Sequence, residues 1–415
     1  MQSGTKIRKA RHWTFLKSVF WLGCTAFGGP QLHLPQFKKR LVDKQRFIEE
    51  EDLIEINAFC SVLPGPSTTQ TIIAVGHKVG GGKLAFLALL AWALPGAVLM
   101  SIIALSPRFL GFNQLRFLQP MVSAFLIYAI FTMARWIKPS PMNYGIAATA
   151  GVLGYFIQTP WFFPIGVLTA GYLSSRYNQR SPLPKPEDEK PIVWRNLVIF
   201  LVIFAAVGIG GILLALYDSP YALPVRLFEN TYRISVFSFG GGNVLAAMGI
   251  EQYVLHKPRM SMEEFNTGMG LLQALPGPNF NLAVYLNAIA MKNGGFGFAG
   301  QLLGCFLGMV AVFLPGTMAV LFAFPLWGRL KNIEGFRKSI DGIFAVSVGF
   351  ILTATLILNQ YFLSSIGSLF EHNNTEQMGL QLGIYSLSLG LLWSRKVPLP
   401  IIVIIVLILG YLLPA

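Results

Sequence analysis

The chain has 415 residues, of which 54% are hydrophobic and 12% charged, and its mean hydropathy is +0.58. A chain this apolar cannot present enough polar surface to be a soluble domain, which leaves an integral membrane protein. The net charge of +14 therefore belongs to loops, where it sets topology, meets anionic lipid or draws an anion, and it does not point to a nucleic-acid partner.

The basic start, "MQSGTKIRKARHW", runs into the first apolar segment without a small-residue cleavage site, so that segment is expected to stay. Continuous apolar blocks, rather than short alternating ones, predict helical spans over 18–35, 53–76, 84–105, 120–137, 143–157 and 160–173. The hydrophilic stretch at 174–195, rich in Pro and charge, marks a linker. One further span, 196–217, precedes a second set over 226–249, 266–291, 296–327, 340–360, 379–393 and 398–413. The fold class expected is an all-α integral membrane protein of about 12–13 transmembrane helices. Its domains are a first repeat (1–173), a linker (174–195), a connecting span (196–217) and a second repeat (218–415).

Internal similarity defines those repeats. Shifted by 212 residues, Phe27-Gly28-Gly29 falls on Phe239-Gly240-Gly241, Glu51 and Asp52 fall on Glu263 and Glu264, and Leu63-Pro64-Gly65-Pro66 falls on Leu275-Pro276-Gly277-Pro278. A third pair, "WALPGAVL" from 92 and "VFLPGTMA" from 312, matches after eight more residues. Seven predicted spans separate equivalent points, and an odd number turns the copies opposite ways, an inverted repeat. With the amino terminus inside, 22 of the 32 Lys and Arg fall on the cytoplasmic side and 10 on the other. Half of the exceptions are Lys38, Lys39, Arg40, Lys44 and Arg46, which favours a re-entrant turn of 18–35 at Gly28-Gly29-Pro30 over a full crossing.

Pro-Gly-Pro breaks a helix twice, and a broken helix in lipid is tolerated only where protein or a wet cavity satisfies the freed backbone. The helix restarting after Pro66 or Pro278 aims free N–H groups and a positive dipole end into such a cavity, which suits an anion. Ser67, Thr68 and Thr69, and Asn279 and Asn281, add uncharged donors. The same residues also suit helix caps, and the two readings are compatible. Glu55 and Asp341 are the carboxylates nearest membrane depth and the candidates for proton coupling, although both also suit an interface. His77 fits a helix end and Arg233 an interfacial arginine. Cys24, Cys60 and Cys305 have neither disulfide nor metal spacing, no catalytic motif appears, and "GGFGFAG" lies between spans rather than after a strand. No metal, cofactor or enzymatic activity is expected.

These paired "FGG" and "PGP" elements, each followed by "LPG", resemble the chromate ion transporter family in its long, two-domain form, from about Trp13 to Phe350. The resemblance implies export of chromate across the plasma membrane and resistance to it, with the proton gradient as a candidate driving force. It carries over Gly28, Gly29, Pro30, Pro64, Gly65 and Pro66, with Gly240, Gly241, Pro276, Gly277 and Pro278, although the second copy has Gly242 where the first has Pro30. Sulfate or another tetrahedral oxyanion remains the alternative substrate, and a membrane-embedded enzyme acting on lipid or a non-transporting assembly subunit the alternative classes. A homodimer stays open.

Overall fold

The computed structural model describes residues 2–27, 30–106, 115–135, 137–159, 161–177, 194–216, 222–238, 242–327 and 333–413, so most of the predicted linker lies outside it. Among these residues there are sixteen α-helices and no strand. The first half contains α1 (Gln2–Thr25), α2 (Pro30–Phe37), α3 (Glu50–Val62), α4 (Ser67–Leu105), α5 (Leu118–Ala134), α6 (Pro141–Ile157) and α7 (Phe162–Tyr177), and α8 (Trp194–Leu216) connects. The second half contains α9 (Ala222–Phe237), α10 (Gly242–Ile250), α11 (Met262–Leu272), α12 (Leu282–Asn293), α13 (Gly297–Ala323), α14 (Glu334–Glu371), α15 (Thr375–Ser394) and α16 (Leu399–Leu412). Three of them, α4, α13 and α14, are long and apolar enough to cross a membrane by length and composition.

The 212-residue shift holds for structure as well as sequence. Thr25 and Phe237 end equivalent helices, Pro30 and Gly242 begin the next pair, and Glu50 and Met262 begin the third. Both α2 and α10 run on into a wider, π-helical turn, at Lys38–Lys44 and Glu251–Leu255. The acidic residues matched in the sequence open α3 and α11, where carboxylates suit the positive helix end. In α11 Ser261 and Glu264 bond each other's backbone N–H, both at 3.0 Å, in a capping box.

Among the described residues the thirteen predicted apolar segments are mainly helical, and four of them run as two helices that turn back rather than as single rods. After α2 the chain returns alongside α1 to its middle: Arg11 Nη2 donates to the Phe47 carbonyl at 3.4 Å, and Phe15 meets Phe47 edge-on at 5.2 Å. The α4 helix is interrupted at Gly80 and Gly81, the latter at φ +78°, which divides it into arms 67–79 and 82–105. The first arm runs back along α3, since Lys78 pairs with Asp52 and Thr71 Oγ1 donates to Asn57 Oδ1 at 3.3 Å. In the second half, Thr231 Oγ1 and Tyr253 OH lie 2.8 Å apart across α9 and the π turn. There too, Asn293 Nδ2 donates to Glu264 Oε2 at 2.9 Å across α11 and α12.

The tips of the α3–α4 and α11–α12 hairpins are the PGP elements, and the FGG elements fall almost wholly outside the described residues. The basic residues at 38–46 thus lie on the return limb of a hairpin beside α1, as the re-entrant reading expects. With the two hairpins of the first half counted as returning, arm 82–105, α5, α6, α7 and α8 lie between equivalent points, an odd number of helices, as an inverted repeat requires. Contacts at the helix ends agree with this sorting. Lys138, after α5, pairs with Asp341 near the start of α14, and Arg116, before α5, donates to the Leu413 carbonyl after α16.

The sorting predicts a labelling result. Lys44 and His256 are equivalent and lie at the open ends of opposed hairpins. With Cys24, Cys60 and Cys305 replaced by Ser, Lys44→Cys should react with an impermeant maleimide only from the amino-terminal side, and His256→Cys only from the other. Reaction of both from one side would rule out opposed hairpins.

Candidate functional site

Each PGP tip is tied to the other half. The Gly65 N–H donates to the Ser238 carbonyl at 2.7 Å, and the Gly277 N–H donates to the Ala26 carbonyl at 2.8 Å. Donors and acceptors are both 212 residues apart, so the two bonds are one interaction repeated by the pseudo-symmetry. Gly65 at φ +112° and Gly277 at φ +94° hold a backbone that side chains rarely adopt, and this turns the two N–H groups outward. The accepting carbonyls lie at the carboxyl ends of α1 and α9, so the bonds absorb part of the negative ends of those helices.

The LPG elements complete the exchange. A Cβ on Gly96 would lie 2.6 Å from the Pro276 carbonyl, and one on Gly316 would lie 2.9 Å from Pro66 Cδ. The long helix of each half therefore passes against the PGP tip of the other at a distance only glycine allows. Polar side chains fix the same contacts: Gln70 Nε2 donates to the Pro64 carbonyl at 2.7 Å and to the Gly316 carbonyl at 3.3 Å, and Asn281 Nδ2 donates to the Ala93 carbonyl at 3.3 Å. The remaining amide oxygens, Gln70 Oε1 and Asn281 Oδ1, are buried without a partner.

What the tips leave unbonded is positive. The N-cap positions of the α4 helix and of the short turn Asn279–Asn281 are Pro66 and Pro278, and neither end has a side-chain cap. The first N–H groups, at Ser67, Thr68 and Thr69, have no acceptor within their own helix. Ser67, Thr68 and Thr69 sit inside the helix start rather than before it, whereas Asn281 is the N-cap residue of α12, without a side-chain cap bond. Ser67 and Thr68 are each 7% exposed and their hydroxyls show no bond to another described residue, whereas Thr69 is sealed and accepts from Trp92 Nε1 at 3.1 Å. Asn279 is half-buried and Asn281 is buried. Pro30 opens α2, and Gly28, Gly29, Gly240 and Gly241 lie outside the described residues.

The two candidate carboxylates lie elsewhere. Glu55, midway along α3, accepts at 2.9 Å from Nε1 of Trp327, which ends the 3₁₀ turn that follows α13 in the opposite half. Asp341 bonds Lys138 Nζ at 2.9 Å. Gln70 is the residue that sequence reasoning missed, although it directly follows Ser67-Thr68-Thr69; an amide in an apolar run was the available signal.

The family model for chromate transporters matches residues 13–174 and 225–411, one stretch in each half. An uncharacterized transporter of Methanocaldococcus jannaschii is 24% identical, over 96% of this chain and 93% of its own length. A chromate transport protein of Pseudomonas aeruginosa is 23% identical, over 92% of this chain and 87% of its own length. A Bacillus subtilis uncharacterized transporter is 33% identical over 19% of this chain. No solved structure matches. With both halves matched and their tips bonded across the repeat, the chain belongs to the chromate transporter family.

Proposed function

We propose that the chain exports chromate across the plasma membrane as a multi-pass secondary transporter, through one site built by both repeats between the PGP tips. The observation that carries this reading is the reciprocal pair of bonds from Gly65 to Ser238 and from Gly277 to Ala26. Two tips bonded across the repeat serve one pathway rather than two. The anion is held by the free N–H groups at the starts of the restarted helices, with the hydroxyls of Ser67 and Thr68 and the amide of Asn279. Thr69 and Asn281 hold the surrounding helices. These donors are neutral, so a dianion is stabilised without a fixed countercharge that would trap it.

Each cross-repeat bond is worth about 1 kcal/mol net. The bonds can therefore break and re-form as one pair of hairpins rocks against the other, opening the site to either face in turn. Efflux is the direction the membrane potential favours, because a dianion leaving a negative interior gains roughly 4.6 kcal/mol per 100 mV, twice the single-charge figure. We assign proton coupling to Glu55, which joins α3 of one half to the turn after α13 of the other; Asp341 is engaged with Lys138 at a helix end. Residues 1–173 and 218–415 act as the two rocking units, and chromate resistance follows from export.

Chromate flux in proteoliposomes, with and without a pH gradient, tests the reading, and competition by sulfate tests the substrate. Ser67→Ala, Thr68→Ala and Asn279→Ala should each raise the half-saturation for chromate by about tenfold or more, since a hydrogen bond to a charged group is worth about 1.5–3 kcal/mol. Unchanged half-saturation in all three would remove these side chains from the site. Glu55→Gln should keep downhill flux and lose its response to the pH gradient; a preserved response would clear Glu55 of that role.

A further inference from the structure

Four cations gather at the open end of the α9–α10 hairpin, outside the central site. Arg226 and Arg233 project from α9, and Lys257 and Arg259 from the loop between the π turn and α11. Arg226, Lys257 and Arg259 line an open cavity of about 560 Å³, and Arg233 and Lys257 line an adjoining one of about 280 Å³. The single carboxylate among them, Glu229, is committed to Arg233 at 2.7 Å. Among the described residues, no carboxylate lies within ion-pair distance of Arg226, Lys257 or Arg259, and Arg259 Nη1 is buried without a partner. Burial first, then repulsion by Arg259, Arg233 and Arg226, pulls the Lys257 ammonium below its ordinary pKa, and burial pulls Arg259 the same way.

Two features separate this cluster from the background charge. On the inverted-repeat reading it lies on the face away from Lys38–Lys44, against the bias that collects cations on the amino-terminal side. It is also not inherited from the repeat, because the equivalent first-half residues are Thr14, Trp21, Gln45 and Phe47, none charged. The loop is held in place as well: the Arg259 N–H donates to the Tyr253 carbonyl at 2.9 Å, and Asn293 Nδ2 donates to the Arg259 carbonyl at 3.0 Å. Three cations without an ion-pair partner among the described residues, held together around an open cavity at a cost in repulsion and burial, are the arrangement an oxyanion stabilises.

We propose that Arg226, Lys257 and Arg259 form a second oxyanion site, on the face opposite the amino-terminal end of α1, that binds a tetrahedral oxyanion group, either as a free dianion or as the phosphate of a lipid headgroup. The site needs no transport to be real, so it stands or falls separately from the export reading.

The test uses the full chain in nanodiscs. In phosphatidylcholine, calorimetric titration with sulfate at constant ionic strength should show binding that Arg226→Gln and Lys257→Gln weaken by roughly tenfold or more and that Arg226→Lys largely keeps. In discs containing phosphatidylglycerol, native mass spectrometry counts retained lipid. Sulfate binding in phosphatidylcholine assigns the site to free dianions, and retention of an extra phosphatidylglycerol lost in the same variants assigns it to lipid. Arg226→Gln, Lys257→Gln and Arg259→Gln proteins that melt like the wild type, yet bind sulfate and phosphatidylglycerol unchanged, would overturn the proposal. Chromate flux lost in tip variants with this binding intact would bear only on the central site.

Discussion

Valine at Gly65, or separately at Gly277, is expected to reduce chromate flux by about a hundredfold or more. Both positions hold positive φ, where a side chain costs about 1–3 kcal/mol. A Cβ on Gly65 would lie 3.1 Å from Gly316 Cα, and one on Gly277 would lie 3.4 Å from the Gly23 carbonyl, so branching at Cβ meets backbone rather than flexible side chains. Relief by rotation would carry the N–H away from Ser238 or Ala26 and leave a buried carbonyl unpaired, a further cost of about 1–3 kcal/mol. The total, roughly 2–6 kcal/mol, is a large share of what holds any native arrangement together. Gly82→Ala is the control, since a Cβ there meets nothing within 4 Å. Flux and melting temperature measured together separate the tie from general instability. Wild-type flux in both valine variants would show that the cross-repeat bonds do not matter.

The repeat was legible in the sequence because Gly and Pro constrain backbone, and backbone constraint survives when side chains diverge. Hence the 212-residue spacing of Phe27-Gly28-Gly29 and Leu63-Pro64-Gly65-Pro66 also located the helix ends at Thr25, Phe237, Glu50 and Met262. The path of the chain was less legible. Hydropathy over 53–76 cannot tell a crossing helix from a hairpin of the same length, because both faces of either are apolar. The charges at Lys38–Lys44, with the break at Gly28-Gly29-Pro30, signalled the first hairpin, and no comparable charge signal marked the second. Partnership between PGP and LPG depends on which distant segments meet. Pairs such as Gly96 with Pro276 and Gly316 with Pro66 are separated by most of a repeat or more, and no local pattern reports them. The cations at Arg226, Lys257 and Arg259 were visible singly, but their gathering is a matter of tertiary structure.

The second large effect concerns the tips themselves. Pro64-Gly65-Pro66 is the turn of a hairpin, so changing all three to Ala does more than mend a kink. Proline is about 3 kcal/mol and glycine about 1 kcal/mol worse than alanine inside a helix, so the substitution shifts the balance by roughly 7 kcal/mol toward one continuous helix. Such a helix over 50–79 would be roughly 45 Å long and would carry Ser67 and Thr68 away from the second tip. The same reasoning applies to Pro276-Gly277-Pro278, where α11 and α12 would fuse over 262–293. The Ala26 and Ser238 carbonyls would then lose the donors that tie the repeats together.

Chromate flux through proteoliposomes containing each triple-alanine variant alone, normalised to protein that is inserted and monodisperse, tests the shared site most directly. A site built by both tips predicts flux at the level of empty liposomes for either variant, with no rescue by the intact partner. Roughly half of wild-type flux in each variant would mean that every repeat carries its own pathway, and would contradict a single site held between them.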